Sequence, residues 1–291
     1  MCATQGGSVI DYVLGDPELS QEYIIRGITR NLDSAKARQL KAKVEVVQDD
    51  VLDRRSLETA LNGVHTIFAM TTPTLGADGF DIEYNSGKRI ADVAVEQGAQ
   101  YVIFSTLPAV REIAGGKYTK VIYFDAKAKV EQYMRGLPTK SAFYCPGSFM
   151  ENFHQSVLAP RRAPDGKGFI TWHVSPQTKF PLLAVVDDSG KFVGSILAEP
   201  DKYEGKKFCA ATALYILGSI AAIMSKVSRK TIVYKQISPE GFKESLSSIP
   251  FAGEIFTEGF NYYEEFGYFG PDTKGLVSWA AENARGSTLD L

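Results

Sequence analysis

The fold is decided by the stretch Tyr23-Ile-Ile-Arg-Gly-Ile-Thr-Arg-Asn31, which reads as a strand that ends in a basic, polar turn. Its residues 23–29 are mostly apolar and β-branched, as is typical of a short buried strand. Residues 34–43 continue with a helical pattern, and Val44-Glu-Val-Val-Gln48 is again strand-like. The order strand, helix, strand predicts a βαβ unit and therefore two parallel neighbouring strands.

The same alternation continues through the first half of the chain. The pattern predicts a helix at 56–62 that ends at Gly63, a strand at 66–70, a helix at 84–97 closed by Gly98, and a strand at 101–104. Glycine directly after a helix is a common C-cap, which supports both helix ends. Apolar strands in strict alternation with helices are typical of buried parallel sheets. We therefore expect an α/β protein with a Rossmann-type doubly wound parallel sheet.

The rhythm changes after about Pro146. Proline, glycine and aspartate become frequent, as in Ala163-Pro-Asp-Gly-Lys-Gly168, and the regular alternation ends. We expect residues 1–150 to form a nucleotide-binding domain and 151–291 a smaller α/β lobe that serves as substrate region or lid, with the chain crossing between the two. The aromatic-rich segment from Phe251 onward either packs on the body or forms a wall of the substrate pocket.

Composition excludes several classes of partner. The 291 residues carry a formal net charge of −2 and show no basic tract, so we expect no nucleic-acid partner. The apolar run from Cys209 to Met224 is shorter than the ~20 residues that span a bilayer, which predicts a buried helix and no membrane association. Three scattered cysteines and no visible signal peptide favour the cytosol or nucleus. No pair of histidines has the spacing of metal ligands, so we expect no metal.

Glycine, basic and hydroxyl residues lie where a dinucleotide would bind. Gly6 and Gly7 precede a helical stretch, and a glycine-rich turn at a helix N-terminus can approach a pyrophosphate closely. Arg30 follows the strand at 23–29, where an acidic residue would bind the ribose 2′-hydroxyl and an arginine accommodates a 2′-phosphate. With no Asp or Glu between Tyr23 and Leu32, the sequence favours NADP over NAD. Asp50 can reach the adenine edge, and Thr71-Thr72-Pro73 let a cofactor lie over the strand ends.

An ordered set of motifs resembles the NmrA-like family, atypical members of the short-chain dehydrogenase/reductase superfamily. The set runs through almost the whole chain, and it comprises QGGSV from Gln5, RGITRN from Arg26, VVQDD from Val46, LNGVHTIFAMTTP from Leu61, YVIFST from Tyr101, YFDAKAKVE from Tyr123, PGSFMENF from Pro146, APDGK from Ala163 and YEGK from Tyr203.

The resemblance implies NADP(H) binding and a substrate cleft shaped by the C-terminal lobe. It places Gln5 and Gly6 at the phosphate loop, Arg30 and Asn31 at the 2′-phosphate, and Asp50 and Val51 beside the adenine. It places Thr71, Thr72 and Pro73 along the cofactor, Lys127 at the nicotinamide ribose, and Pro146, Gly147, Ser148 and Phe149 around the nicotinamide.

The chain departs from the family at its start. Family members begin with an apolar strand that runs into GATGxQG, whereas only Met-Cys-Ala-Thr precedes Gln5 here. We therefore expect the first strand and the first one or two glycines of the motif to be missing. That strand is central in this topology, so two neighbouring strands would lack a ladder partner, and cofactor affinity would suffer.

A Tyr-xxx-Lys pair at Tyr123 and Lys127 bears on whether the protein is an enzyme. In superfamily reductases the lysine lowers the pKa of the tyrosine and holds the ribose, while the tyrosine exchanges a proton with the substrate. Spacing four places both side chains on one helical face, and Ser105 could complete a Ser-Tyr-Lys set. Tyr203 and Lys207 show the same spacing, so the pair alone is weak, and a buried structural tyrosine remains an alternative.

Three functions follow from these features. The first is an NADP-dependent oxidoreductase that moves a hydride to or from a carbonyl, imine or conjugated alkene of a small organic molecule. The second is a non-catalytic NADP(H)-binding redox sensor or transcriptional regulator that acts through a protein partner. The third is a degenerate enzyme that no longer binds cofactor.

Overall fold

The computed structural model describes residues 2–155, 158–162 and 167–289, so part of the motif that begins at Ala163 lies outside the described residues. The first half of the chain alternates as the sequence predicts. Its elements are α1 (Cys2–Gly15), α2 (Leu19–Glu22), β1 (Arg26–Thr29), α3 (Ala35–Lys41), β2 (Glu45–Gln48), α4 (Arg54–Leu61), β3 (Thr66–Ala69), α5 (Gly79–Glu96), β4 (Tyr101–Ser105), α6 (Val110–Ile113), α7 (Ile122–Met134) and β5 (Lys140–Pro146).

The second half mixes short strands and helices. Its elements are β6 (Ser148–Phe149), α8 (Asn152–Gln155), β7 (Arg161–Arg162), β8 (Gly168–Trp172), β9 (Lys179–Leu183), α9 (Val185–Ala198), α10 (Pro200–Tyr203), β10 (Lys207–Ala210), β11 (Ala213–Ile216), α11 (Leu217–Ser228), β12 (Ile232–Gln236), α12 (Pro239–Ser245), α13 (Ala252–Phe266) and α14 (Thr273–Glu282).

The apolar run from Cys209 to Met224 is not one buried helix, and that prediction is wrong. Its residues complete β10, form β11 and enter α11. Short apolar runs are ambiguous between strand and helix, and here the chain reverses between them. Across the described ranges, no helix is both long and apolar enough to cross a membrane.

The parallel strands predicted for the first half of the chain lie in two separate sheets. One has the order β10-β5-β4-β3, and the other contains β1 and β2. Among the described residues β1 pairs with β2 alone and β3 pairs with β4 alone. Within the described part of the chain, β1 and β3 are therefore edge strands. C-terminal β10 lies beside β5, so the chain returns to the first sheet after leaving it.

Helices cover both faces of the four-stranded sheet, as in a doubly wound fold. On one face Tyr101 and Ile103 of β4 belong to an apolar cluster with α1 and α9. On the other face Val102 and Phe104 belong to a cluster with α4, α5 and α7. The alternation of side chains along one strand thus divides the core into two layers.

The aromatic segment of α13 packs into the core of the C-terminal lobe. Phe260, Tyr262 and Tyr263 are buried, and they join a cluster that also contains Trp172 and Phe180. Of the two readings of this segment, packing on the body is confirmed. Sheets β11-β9-β6 and β12-β8-β7 complete the lobe.

Candidate functional site

Arg30 lies directly after β1, at the carboxyl end of the two-stranded sheet. Its side chain is exposed and makes no hydrogen bond or ion pair within the described residues. The turn beneath it is well held: Gln48 Nε2 donates to the Arg30 carbonyl at 3.1 Å, and Asn31 Oδ1 accepts from the Asp33 amide at 2.8 Å. The structure therefore presents the Arg30 guanidinium to solvent on an ordered turn.

The neighbouring loop after β2 carries Asp49, Asp50 and Val51. Asp50 is exposed, and its carboxylate accepts from the Leu52 amide at 3.0 Å, whereas the Val51 carbonyl accepts from Arg89 at 2.7 Å. Asp49 is the buried member, and Ser56 at the start of α4 donates to it. Burial raises the pKa of the Asp49 carboxyl. Asp49 thus anchors the loop, and Asp50 remains at the surface beside the turn of Arg30.

Gln5 and Gly6 lie inside α1 and not in a loop before it. A Cβ built on Gly6 would lie 3.8 Å from Met70 Cε, at the end of β3, and one on Gly7 would lie 3.0 Å from Lys36 Nζ. The first turns of α1 therefore pass between the end of β3 and α3. Gln5 is buried, and its Oε1 has no hydrogen bond among the described residues.

Two glycines bring α5 and α7 into close contact. A Cβ on Gly79 would lie 2.1 Å from the Thr74 carbonyl and 3.3 Å from Ile122, and one on Gly87 would lie 2.5 Å from Val130. A larger side chain at Gly87 would force the two helices apart, and one at Gly79 would collide with the loop before α5. Because Glu83 lies between the two glycines on α5 and Lys127 one turn before Val130 on α7, this contact joins their side chains.

Lys127 is held at the centre of a buried polar cluster with Thr71 and Glu83. Its Nζ lies 2.7 Å from Glu83 Oε1, 2.7 Å from Thr71 Oγ1 and 2.8 Å from the Thr71 carbonyl. The Thr71 hydroxyl in turn donates to Glu83 Oε1 at 2.8 Å. Side-chain exposure is 7% for Lys127 and 0% for Glu83, so this is a desolvated ion pair. Thr72 is exposed and Pro73 half-buried, so the strand end turns Thr71 inward and Thr72 outward.

Tyr123 is half-buried one turn before Lys127. Burial raises the pKa of its phenol, the neighbouring Tyr263 hydroxyl lowers it, and the Glu83 carboxylate raises it. The charge of Lys127 is balanced by Glu83. Ser105 ends β4 and is buried, and among the described residues no hydrogen bond joins it to Tyr123.

The segment from Pro146 to Phe149 connects the first sheet to the C-terminal lobe. A Cβ on Gly147 would lie 2.4 Å from the Pro181 carbonyl, so only glycine permits this crossing. The Pro146 carbonyl accepts from Tyr268 at 3.3 Å, and Ser148 and Phe149 pair with β9. The segment is thereby fixed between β5 and β9, with Ser148 and Phe149 half-buried.

Sequence reasoning missed two carboxylates that organise these elements. Glu83 lies on the stripe of α5 that also contains Ser86, Gly87 and Ile90, so a charge at helical spacing within a buried face was the available signal. Glu151 accepts from the amides of Val185 and Val186 and so caps α9, an arrangement that no local pattern near Glu151 reveals.

Comparisons with known proteins agree with this architecture. A model of the NmrA-like family matches residues 3–288. The NmrA-like family domain-containing oxidoreductase FrzB of Cladobotryum sp is 28% identical over 263 residues, which cover 84% of this chain and 77% of FrzB.

Two solved structures share the fold. NmrA, described as a negative transcriptional regulator and solved with NAD and with NADP, superimposes with a TM-score of 0.78 at 22% identity, covering 99% of this chain and 89% of NmrA. The Citrobacter sp. triphenylmethane reductase complexed with NADP(H) gives a TM-score of 0.75 at 19% identity, covering 99% and 93% of the two chains.

Proposed function

Because the chain belongs to the NmrA-like family, we propose that it is an NADP(H)-dependent oxidoreductase acting on a small organic molecule. The reaction is hydride transfer to or from a carbonyl, an imine or a conjugated alkene. FrzB is named an oxidoreductase, and the triphenylmethane reductase was solved with NADP(H). Both names support the reaction class.

The observation that carries the choice of NADP is the exposed Arg30 guanidinium at the end of β1, with no ion-pair partner in the described chain. A dianionic 2′-phosphate would give it a charge-assisted, bidentate partner. Asn31, the next residue in the same turn, adds an exposed side-chain amide donor. The residues present therefore fit the phosphorylated adenosine half of NADP, with Asp50 and Val51 beside the adenine.

At the other end Lys127 would hold the nicotinamide ribose, and Pro146 to Phe149 would border the nicotinamide ring, which supplies or accepts the hydride. Tyr123 would give its proton to the substrate oxygen as a neutral phenol, because burial and Glu83 keep its pKa raised. Ser105, buried at the end of β4, would hold the same substrate oxygen.

A second candidate is a non-catalytic NADP(H)-binding sensor that acts through a protein partner. The observation that favours it is the polar cluster itself: Lys127, which a reductase would use, is already engaged inside the protein by Glu83 and Thr71. NmrA, which has the same fold, is described as a negative transcriptional regulator and was solved with NADP.

One set of measurements separates the candidates. NADPH and NADH are titrated into the protein by fluorescence, and NADPH oxidation is followed with a panel of carbonyl, imine and conjugated-alkene substrates. We expect NADPH to bind more tightly than NADH and to be oxidised, and Tyr123→Phe to lower turnover about 100-fold or more at unchanged NADPH affinity. Tight binding with no turnover on the panel would favour the sensor. Absence of NADP(H) binding would overturn both.

A further inference from the structure

We propose that Glu83 is a positioning residue for the nicotinamide end of the cofactor. It holds the Lys127 ammonium in place, while the ribose hydroxyls replace Thr71 as the other partner of that ammonium. The proposal rests on the proposed function, in which Lys127 binds the nicotinamide ribose.

The first step is the number of donors on Lys127. An ammonium has three N–H donors and no acceptor. Three acceptors surround it at hydrogen-bond distance: the Thr71 carbonyl at 2.8 Å, Thr71 Oγ1 at 2.7 Å and Glu83 Oε1 at 2.7 Å. A ribose hydroxyl can therefore be bound only if one of these partners is given up.

The second step is which partner is exchanged. Releasing Glu83 would leave two buried charges apart, which is far less favourable than losing a contact with a neutral group. Thr71 is neutral and follows directly after β3, at the carboxyl end of the sheet where ligands of this fold lie. The ribose therefore takes the place of Thr71, and Glu83 stays.

The third step is the unusual state of the Glu83 carboxylate. Its Oε2 is buried and has no hydrogen bond among the described residues. A buried acceptor without a partner is unfavourable, and such groups in native structures call for an explanation. Holding a lysine at a fixed point below the cofactor provides one.

Other charged groups near Lys127 do not compete for it. Glu131, one turn further along α7, is directed to Thr106, Arg135 and Lys207. Burial raises the pKa values of Tyr123 and Tyr263, so neither phenol offers a negative charge to the lysine. Glu83 is thus the carboxylate that balances Lys127 in the described structure.

The test compares the affinities for NADPH and 2′,5′-ADP, two ligands that share the adenosine half with its 2′-phosphate. NADPH reaches Lys127, whereas 2′,5′-ADP carries only the adenosine half and the 2′-phosphate. In Glu83→Gln we expect NADPH affinity to fall about 10- to 100-fold, because the ammonium loses the negative charge that holds it in place. The affinity for 2′,5′-ADP should stay within about twofold of the wild type. Glu96→Gln, which removes an exposed carboxylate from the same helix, should change neither affinity.

Thr71→Val should change the NADPH affinity in the opposite direction to Glu83→Gln. It removes the hydroxyl, one of the two neutral acceptors of Lys127 that the ribose would replace, so NADPH affinity should rise about 2- to 10-fold. Thr59→Val removes an exposed hydroxyl from α4 instead and should match the wild type.

The outcomes are distinct. Equal losses for both ligands in Glu83→Gln would show a structural role and overturn the proposal, as would a loss in Thr71→Val as large as in Glu83→Gln. If Glu83→Gln does not fold, Glu83→Asp keeps the charge but withdraws it from Lys127, and it should still lower the affinity for NADPH and not for 2′,5′-ADP. A wild-type protein that binds neither ligand would overturn the proposed function itself, and this inference with it.

Discussion

The two ends of the candidate cofactor site differ in how they are built. At the adenosine end Arg30, Asn31 and Asp50 stand exposed on turns after β1 and β2. At the nicotinamide end Lys127, Glu83 and Thr71 are buried between α5, α7 and the end of β3. At the adenosine end the Arg30 charge has no ion-pair partner within the described residues, whereas at the nicotinamide end the Lys127 charge is balanced by Glu83.

Because of this difference, the exposed end can set the affinity for the ligand, while the buried end fixes the position of Lys127. Exposed side chains on turns contribute little to folding, so they can be selected for the phosphate they bind. A buried ion pair must be complete for the protein to fold well, so the position of Lys127 is determined before any ligand arrives. Mutations at the exposed end should therefore affect binding alone, whereas mutations at the buried end should affect stability as well as binding.

The largest effect is expected at the buried end. Glu83→Ala leaves the Lys127 ammonium buried without its counterion, which should lower the free energy of unfolding by about 3–5 kcal/mol. Urea denaturation measures this change, with Glu96→Ala on the exposed face of α5 as control. A loss no larger than that of the control would show that the pair is not desolvated in solution.

At the exposed end the effect should appear in binding alone. Arg30→Ala removes the partner of the 2′-phosphate and should weaken NADPH binding about 10- to 100-fold at unchanged thermal stability. NADH lacks that phosphate, so its affinity should stay the same. Arg38→Ala on α3 is the matched control. Equal losses for NADPH and NADH would contradict the role of Arg30.

A smaller effect tests the helix contact that joins Glu83 to Lys127. In Gly87→Ala the new Cβ meets Val130, and we expect a net loss of about 1 kcal/mol after the better helix propensity of alanine is included. Gly15→Ala, with open space around it, should not destabilise. Urea denaturation should show that Gly87→Ala no longer lowers the free energy of unfolding when Val130→Ala is already present. If the same loss appears in that background, the contact with Val130 is not its cause.

The smallest effect concerns Asp125 on α7, a partly buried residue whose pKa is raised to about 6 by burial. The folded protein therefore binds this proton more tightly than the unfolded chain, and the associated stability is present below about pH 4 and lost as pH rises through 6. Asp125→Asn should gain on the order of 1 kcal/mol relative to the wild type between pH 4.5 and pH 7.5, after solvent screening is allowed for. Urea denaturation at the two pH values measures it, and a pH-independent difference would exclude the titration.

The sequence predicts the first half of the fold well because its elements are local. Ser34 and Asp53 cap their helices within three residues, and the strands from residue 26 to residue 105 lie close to where apolar runs indicate them. The run from Cys209 to Met224 could not be divided into β10, β11 and α11, because pairing with β5 and β9 decides it.

The candidate site was predictable only in part for the same reason. Arg30 is identified by its place after a strand. The partner of Lys127 cannot be identified from the sequence. Glu83 reaches Lys127 through a helix contact that depends on Gly87 and Val130. The packing of Tyr123 against the apolar cluster that contains Tyr263 likewise depends on how the C-terminal lobe folds.

The division of the parallel strands into two sheets has a consequence for the proposed cofactor. Arg30 and Asp50 belong to the sheet of β1 and β2, whereas Lys127 packs on the sheet that contains β3 and β4, and no ladder joins the two among the described strands. A dinucleotide that contacts both sheets would connect them. Restraining their relative motion would cost entropy, which would make the net binding free energy less favourable. Amide hydrogen exchange would then slow in β1 and β2 on NADPH binding, while the amides of β4, already laddered on both sides by β3 and β5, would change little.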